Sequence, residues 1–280
     1  MCIAPCYLVG FAVRYKHKKV GVFMAKIKTI VFANQKGGVG KTTSAVNIAA
    51  SLAAVGNKVV LVDSDPQGNA TSGLGIKKRG NTNSVYDLFI RRVSTREALQ
   101  KTRFDNLYVI PSGMDLVGAE IELVDEERRE YRLKDALAEI KDEFDYIIID
   151  SPPSLGLITI NALTAADGVI VPLLCEYYSL EGLSQLTQTV KQIQKRYNPD
   201  LSLLGVLINM YDGRLNLTLQ VMSEIKKYFG DKLFKVPVPR NVRLSEAPSY
   251  GEPICVYDKR SKGAIAYEGI AAELAERCGG

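Results

Sequence analysis

Five stretches of the chain are apolar almost throughout rather than at every second position: residues 29–33, 58–63, 146–150, 168–172 and 203–209. Val and Ile dominate them. Continuous β-branched runs of this length predict strands covered on both faces, as in a parallel sheet. Between them apolar residues recur at helical spacing. The pattern predicts helices over 42–55, 128–141, 180–197, 217–229 and 264–277, the first ending at Gly56. Strands alternating with helices indicate repeated βαβ units. The expected fold is α/β: a doubly wound, mostly parallel sheet with helices on both faces. The polar, glycine-containing segment 73–94 reads as a surface excursion. No internal repeat or long linker divides residues 24–280, which read as a single domain.

Residues 1–23 stand apart. An apolar stretch is followed by Arg14, Lys16, His17, Lys18 and Lys19, the reverse of the order in a secretory signal. Met24 lies directly before the first predicted strand. The preferred reading is a start codon assigned too early. A membrane-associated arm and a disordered basic arm are the alternatives. The whole chain carries 36 Lys+Arg against 31 Asp+Glu, a net of +5. Without the first 23 residues 32 basic face 31 acidic residues, a net of +1. Charge alone is therefore a weak argument for nucleic acid, and any such surface must be local.

Composition narrows the chemistry. With 46% apolar and 24% charged residues, the chain can bury a core without disulfides. Five scattered Cys form no Cys-x-x-Cys pair, which argues against a zinc ribbon or a secreted disulfide framework. A single His, His17, leaves little room for a histidine base. No apolar run reaches the length of a membrane-spanning helix.

The candidate chemistry sits at strand ends. After the first predicted strand come Lys36, Gly37, Gly38, Val39, Gly40, Lys41, Thr42 and Thr43. This is a phosphate loop in which Gln35 replaces the usual first Gly. The glycines let backbone amides approach phosphate, and the following helix presents its N-terminus. Lys41 supplies charge to the β- and γ-phosphates of ATP, and the Thr42 hydroxyl is suited to Mg²⁺. A glycine-rich turn that binds nothing is the competing reading. Asp63 and Asp65 end the second strand, and Asp150 ends the strand 146–150. Carboxylates at that edge of an open sheet suit a metal and its waters, although Asp also forms turns.

Lys36, placed before the glycines, makes the loop resemble that of the deviant Walker A ATPases. Residues 63–75 (DSDPQGNATSGLG), 111–123 (PSGMDLVGAEIEL), 150–156 (DSPPSLG), 175–182 (CEYYSLEG) and 238–248 (VPRNVRLSEAP) resemble the ParA/Soj partitioning ATPases. The resemblance runs from about Lys26 to Ala275 and omits the first 23 residues. It implies an ATP-dependent homodimer in which Lys36 reaches the partner's nucleotide, and Mg²⁺ held near Thr42, Asp63 and Asp150. It implies that Asp65 positions the attacking water and that Asn209, Pro239 and Asn241 hold adenine. It also implies non-specific DNA binding through Arg214 and Arg243, stimulation by a ParB-type centromere-binding protein, and a cytoplasmic, nucleoid-associated location. Lys191, Lys195, Arg196, Lys226, Lys227 and Arg240 add local positive charge to the C-terminal third.

Three other readings share the fold. A MinD-like positioning ATPase calls for a basic amphipathic tail, whereas the tail here carries Glu268, Glu273 and Glu276. A nitrogenase-reductase-like protein needs two cluster-binding Cys, for which Cys175 supplies one candidate at most. An ATP-dependent small-molecule ligase would be distinguished by product formation.

Overall fold

The computed structural model describes residues 28–77, 83–176 and 179–279. The readings of residues 1–23 lie outside the described residues. Seven strands form one sheet: β1 Thr29–Phe32, β2 Val59–Asp63, β3 Gln100–Lys101, β4 Leu107–Ile110, β5 Tyr146–Asp150, β6 Gly168–Leu174 and β7 Ser202–Asn209. Their order is β3-β4-β2-β5-β1-β6-β7. All neighbours are parallel except the short edge pair β3 and β4.

The sheet is covered on both faces, as the uninterrupted apolar runs require. Along β1, Ile30 and Phe32 enter one core while Val31 enters the other. The first face is packed by the helices Lys41–Ala54 and Lys262–Arg277, through Ile48, Leu52, Tyr267, Ile270 and Leu274. The second is packed by Arg132–Ala138, Leu157–Ala165, Ser179–Arg196 and Asn216–Phe229, through Leu137, Leu163, Leu186 and Ile225. Burying a Leu or Ile side chain is worth roughly 1.5–3 kcal/mol, so both layers hold the sheet strongly.

The excursion expected at 73–94 is corrected. Within its described part, Val85–Phe89 forms a helix whose Val85, Leu88 and Phe89 belong to the second core. Its polar neighbours conceal three apolar positions on one face. Ser84 and Asp87 close a capping box at its start, which satisfies backbone amides that would otherwise be orphaned.

In the sheet order, β1 lies between β5 and β6. The chain leaves β1 toward β2 on one side and later returns to β6 and β7 on the other. Ligands of open α/β sheets bind outside the carboxyl ends of strands at such a reversal.

Candidate nucleotide site

The loop between β1 and the helix Lys41–Ala54 is held from three sides. Asn34 donates to the Pro172 carbonyl of β6 at 2.7 Å and accepts from the Lys36 amide at 3.0 Å. Asn209, at the end of β7, donates to the Val39 carbonyl at 2.8 Å and to Ser44 Oγ at 3.1 Å. Ser44 in turn meets the Tyr267 hydroxyl at 3.2 Å. Gly38 and Gly40 have φ of +73° and +84°, a region that side chains disfavour. A Cβ on Gly40 would also stand 2.6 Å from Asn209 Nδ2.

Lys41 is 6% exposed, and its Nζ donates to the Lys36 carbonyl across the loop at 3.1 Å. Burial lowers its pKa, while the charges of Asp150 and Asp65 favour the protonated form. A buried cation at the N-terminus of a helix suits a polyanion.

Asp63 and Asp150 are register partners at the ends of β2 and β5. Both are fully buried, yet their surroundings differ. Asp63 accepts from the Thr71 amide at 2.8 Å, the Thr71 hydroxyl at 2.7 Å and the Asp65 amide at 3.2 Å. Burial pushes its carboxyl up to about 6, against the pull of those bonds. Its visible task is to fix the segment carrying Asp65. Thr71 Oγ1 also accepts from the Ser112 amide at 3.0 Å, tying that segment to 111–123. Thr71 and Ser112 lie inside the motifs 63–75 and 111–123, but their side-chain pattern alone does not reveal this chain of bonds.

Neither carboxylate oxygen of Asp150 has a hydrogen-bond partner among the described residues. Burial, Asp63 and Asp65 raise its pKa well above the ordinary value; the neighbouring Thr42 hydroxyl and Lys41 oppose them. Buried carboxylates are normally paired or hold a metal. This orphaned carboxylate, next to a threonine hydroxyl, fits a hard divalent cation and its waters. Asp65, 8% exposed, accepts from the Gln67 amide at 2.9 Å and stands at the mouth of the same site.

Lys36 pairs with Glu176 of its own chain, both about half exposed. An exposed pair of this kind is worth roughly 0.2–1 kcal/mol, so a better anion displaces Glu176 cheaply. Glu176 lies within residues 175–182, where its residue type alone does not mark it as a partner of Lys36. Pro239 is held beside the end of β7, because Val238 donates to the Ile208 carbonyl at 2.8 Å and Tyr211 bridges to Pro239. Asn209 itself is 3% exposed, with its amide committed to the phosphate loop. Asn241 caps the short helix Val242–Glu246. Thr43 lies beside the loop, and its carbonyl accepts from Asn47 at 2.8 Å.

Arg214 and Arg243 are exposed, but each is engaged by an acid. Arg214 forms a two-pronged pair with Asp212 at 2.8 and 2.6 Å, which pulls the Asp212 carboxyl down to about 2. Arg243 meets Glu246 at 2.8 Å and Asp258 at 3.7 Å. Among the described residues, none of Lys191, Lys195, Arg196, Lys226, Lys227 and Arg240 is in an ion pair.

Comparison with known proteins agrees with this geometry. Residues 27–203 match the family model described as an AAA domain. The sporulation initiation inhibitor protein Soj of Bacillus subtilis is 57% identical over 248 residues, covering 89% of this chain and 98% of that one. The chromosome partitioning protein ParA of Myxococcus xanthus is 53% identical over 250 residues, covering 89% of this chain and 88% of that one. Cobyrinic acid a,c-diamide synthase from Mycobacterium smegmatis, solved with a bound ATP analogue and magnesium, superposes with a TM-score of 0.78. It is 39% identical and covers 89% of this chain and 94% of that one. The cell division ATPase MinD of Pyrococcus furiosus gives a TM-score of 0.74 at 25% identity, over 89% of this chain and 98% of its own. The chain belongs to the ParA/Soj family of partitioning ATPases.

Proposed function

We propose that this protein is a Mg²⁺-dependent ATPase that partitions DNA by switching its hold on DNA with the nucleotide. The observation that carries the reading is the cluster of Lys41, at the start of its helix, with Asp65 just beyond β2 and the orphaned Asp150 at the end of the adjoining β5. Loop amides and Lys41 bind the β- and γ-phosphates. Thr42 and Asp150 would hold Mg²⁺, with Asp63 behind them, and the ion would supply positive charge against the β- and γ-phosphates. Asp65 orients the attacking water. Asn209, Pro239 and Asn241 flank the base.

Self-association is part of this reading. Lys36 leaves Glu176 to reach the partner's nucleotide. Val117 and Ile121, exposed on the helix Leu116–Glu122, and Met114 and Val124, exposed in the turns before and after it, make an apolar stripe, the kind of patch a partner covers. Met114 touches Gln67, beside Asp65, at 3.9 Å, so the stripe starts at the catalytic edge. The dimer then carries Arg214, Arg243 and the unpaired cations of the C-terminal third onto DNA phosphates, on the nucleoid. A ParB-type protein accelerates hydrolysis and release. A MinD-like membrane tail is disfavoured: the helix Lys262–Arg277 is docked in the core through Tyr267, Ile270 and Leu274. No helix among the described residues is long and apolar enough to cross a membrane.

Turnover and sedimentation of two variants test the reading. Lys41→Ala should lose nucleotide binding and everything downstream. Asp65→Ala should retain ATP, lose turnover and accumulate as a dimer. Normal nucleotide affinity in the first variant, or undiminished hydrolysis in the second, would reject these roles. ATP-dependent amidation of a metabolite would instead favour a ligase.

A further inference from the structure

The segment that carries Asp65 and the segment that carries Arg243 meet away from both residues. From Asp65 the chain turns at once, the Gly68 amide donating to the Asp65 carbonyl at 2.8 Å, and runs through the short helix Asn69–Gly73 to Gly75. From Arg243 it runs through the helix Val242–Glu246 and the tighter turn Ala247–Tyr250 to Gly251. Gly75 and Gly251 have left-handed φ of +77° and +63°. A Cβ on Gly251 would stand 2.5 Å from the Gly75 Cα, and a Cβ on Gly75 would stand 3.2 Å from the Gly251 carbonyl oxygen. The two main chains therefore lie directly against each other. No flexible side chain separates them to absorb a shift, and close-packed contacts transmit displacement.

Arg103, on the turn between β3 and β4, holds this seam closed. It donates to the Tyr250 carbonyl at 3.1 Å, the Gly251 carbonyl at 3.1 Å and Glu252 Oε1 at 3.0 Å. A Cβ on Gly75 would also stand 3.9 Å from Arg103 Nε, so the guanidinium reaches both sides. Its base is firm: the Thr102 hydroxyl donates to the Leu107 carbonyl at 2.7 Å and accepts from the Phe104 amide at 3.1 Å. Each segment is also tied to its own site. Thr71, within the first, bonds Asp63 through its amide and hydroxyl. In the second, Glu246 accepts from Arg243 at 2.8 Å and from the Tyr257 hydroxyl at 3.1 Å. The rings of Tyr257 and Tyr250 lie 5.1 Å apart, which joins the Arg243 turn to the neighbour of Gly251.

We propose that the Gly75–Gly251 seam couples the two sites, and that Arg103 is the positioning residue that keeps it closed. A shift of the Asp65 segment with the nucleotide then moves the turn that presents Arg243, within one subunit and in addition to self-association. The inference rests on the roles given above to Asp65 and Arg243. Coupling between binding sites is reciprocal. DNA therefore favours ATP over ADP by the same factor by which ATP, relative to ADP, tightens the hold on DNA.

The test is the duplex-DNA affinity of the full chain, at one fixed salt concentration, with a non-hydrolysable ATP analogue and with ADP. The Arg103 side chain is 53% exposed, so Arg103→Ala leaves the core intact. Sedimentation should find its analogue-bound dimer unchanged, while the ratio of the two DNA affinities should fall about fivefold or more, the lower end of ordinary coupling between sites. Gly75→Ala, which wedges a methyl group into the seam, should lower the ratio further, with thermal unfolding as the check on its fold. An unchanged ratio in Arg103→Ala would overturn the inference. So would loss of its dimer, which would place Arg103 in the subunit contact. A fall of about 0.9 or more in the slope of log K against log salt would overturn it as well, because Arg103 would then touch DNA itself. Equal DNA affinity of wild type with both nucleotides would reject the DNA reading and the seam's role with it, a failure visible before any variant is compared.

Discussion

Asp150 is held in an environment that its neighbours compensate only in part. It is fully buried, without a hydrogen-bond partner among the described residues, and its register partner is another acid. Its pKa is raised above the ordinary 3.8. The folded state therefore holds this proton more tightly than the unfolded chain. Linkage then makes the metal- and nucleotide-free protein lose stability as pH rises from about 4 toward the folded-state value. Asn does not titrate. In denaturant unfolding without Mg²⁺, the stability of Asp150→Asn relative to wild type should therefore grow as pH rises above the ordinary carboxylate range. The variant should also lose Mg²⁺-dependent turnover. A stability difference independent of pH would contradict the unpaired, buried carboxylate. Asp63 illustrates what spacing conveys and what it does not. Two acids at a strand end were legible, but only the structure separates a loop anchor bonded to Thr71 from an orphan aimed at the site.

At the scale of elements, the long periodic segments were the legible ones. The five apolar runs became β1, β2, β5, β6 and β7, and four helices fall within two residues of the expected ends. The fifth, expected over 128–141, is broken into Arg132–Ala138 flanked by tighter turns. The strand β4 is only Leu107–Ile110, and its antiparallel edge partner is shorter still; runs so brief carry no clear period. The helix Leu157–Ala165 has no legible period in the sequence, because seven of its residues are buried and little polar face remains to mark a stripe. The phosphate loop was readable as a motif, whereas its support by Asn209, Ser44 and Tyr267 joins residues far apart in sequence. That support makes the loop's glycines unequal. Gly38→Ala meets open space and should cost about 1–2 kcal/mol for the left-handed conformation. Gly40→Ala carries the same cost and must also displace buried Asn209. Denaturant unfolding should find Gly40→Ala the less stable of the two and the weaker in ATP affinity. Equal losses would mean that Asn209 moves freely and does not brace the loop.

Across the whole molecule, the proposed DNA surface is poised rather than strongly charged. Arg214 is clamped by Asp212, and Arg243 by Glu246. Freeing Arg214 by Asp212→Ala should tighten DNA binding, while Arg214→Ala should weaken it equally on unrelated sequences, because phosphate carries no sequence information. A two-fold dimer repeats each contact. Loss of Arg214 should therefore lower the slope of log K against log salt by up to roughly 1.8. A slope unchanged in Arg214→Ala and in Arg243→Ala would move the surface to Lys191, Lys195 and Arg196. The central claim is that the nucleotide governs this grip on DNA. The direct measurement is affinity for duplex DNA at one fixed salt concentration, with ATP and with ADP, for wild type, Lys41→Ala and Asp65→Ala. Wild type should bind tightly with ATP only, Lys41→Ala should not bind, and binding by Asp65→Ala should persist as long as ATP is present. Equal affinity of wild type with ATP and ADP, or wild-type binding by Lys41→Ala, would contradict that claim.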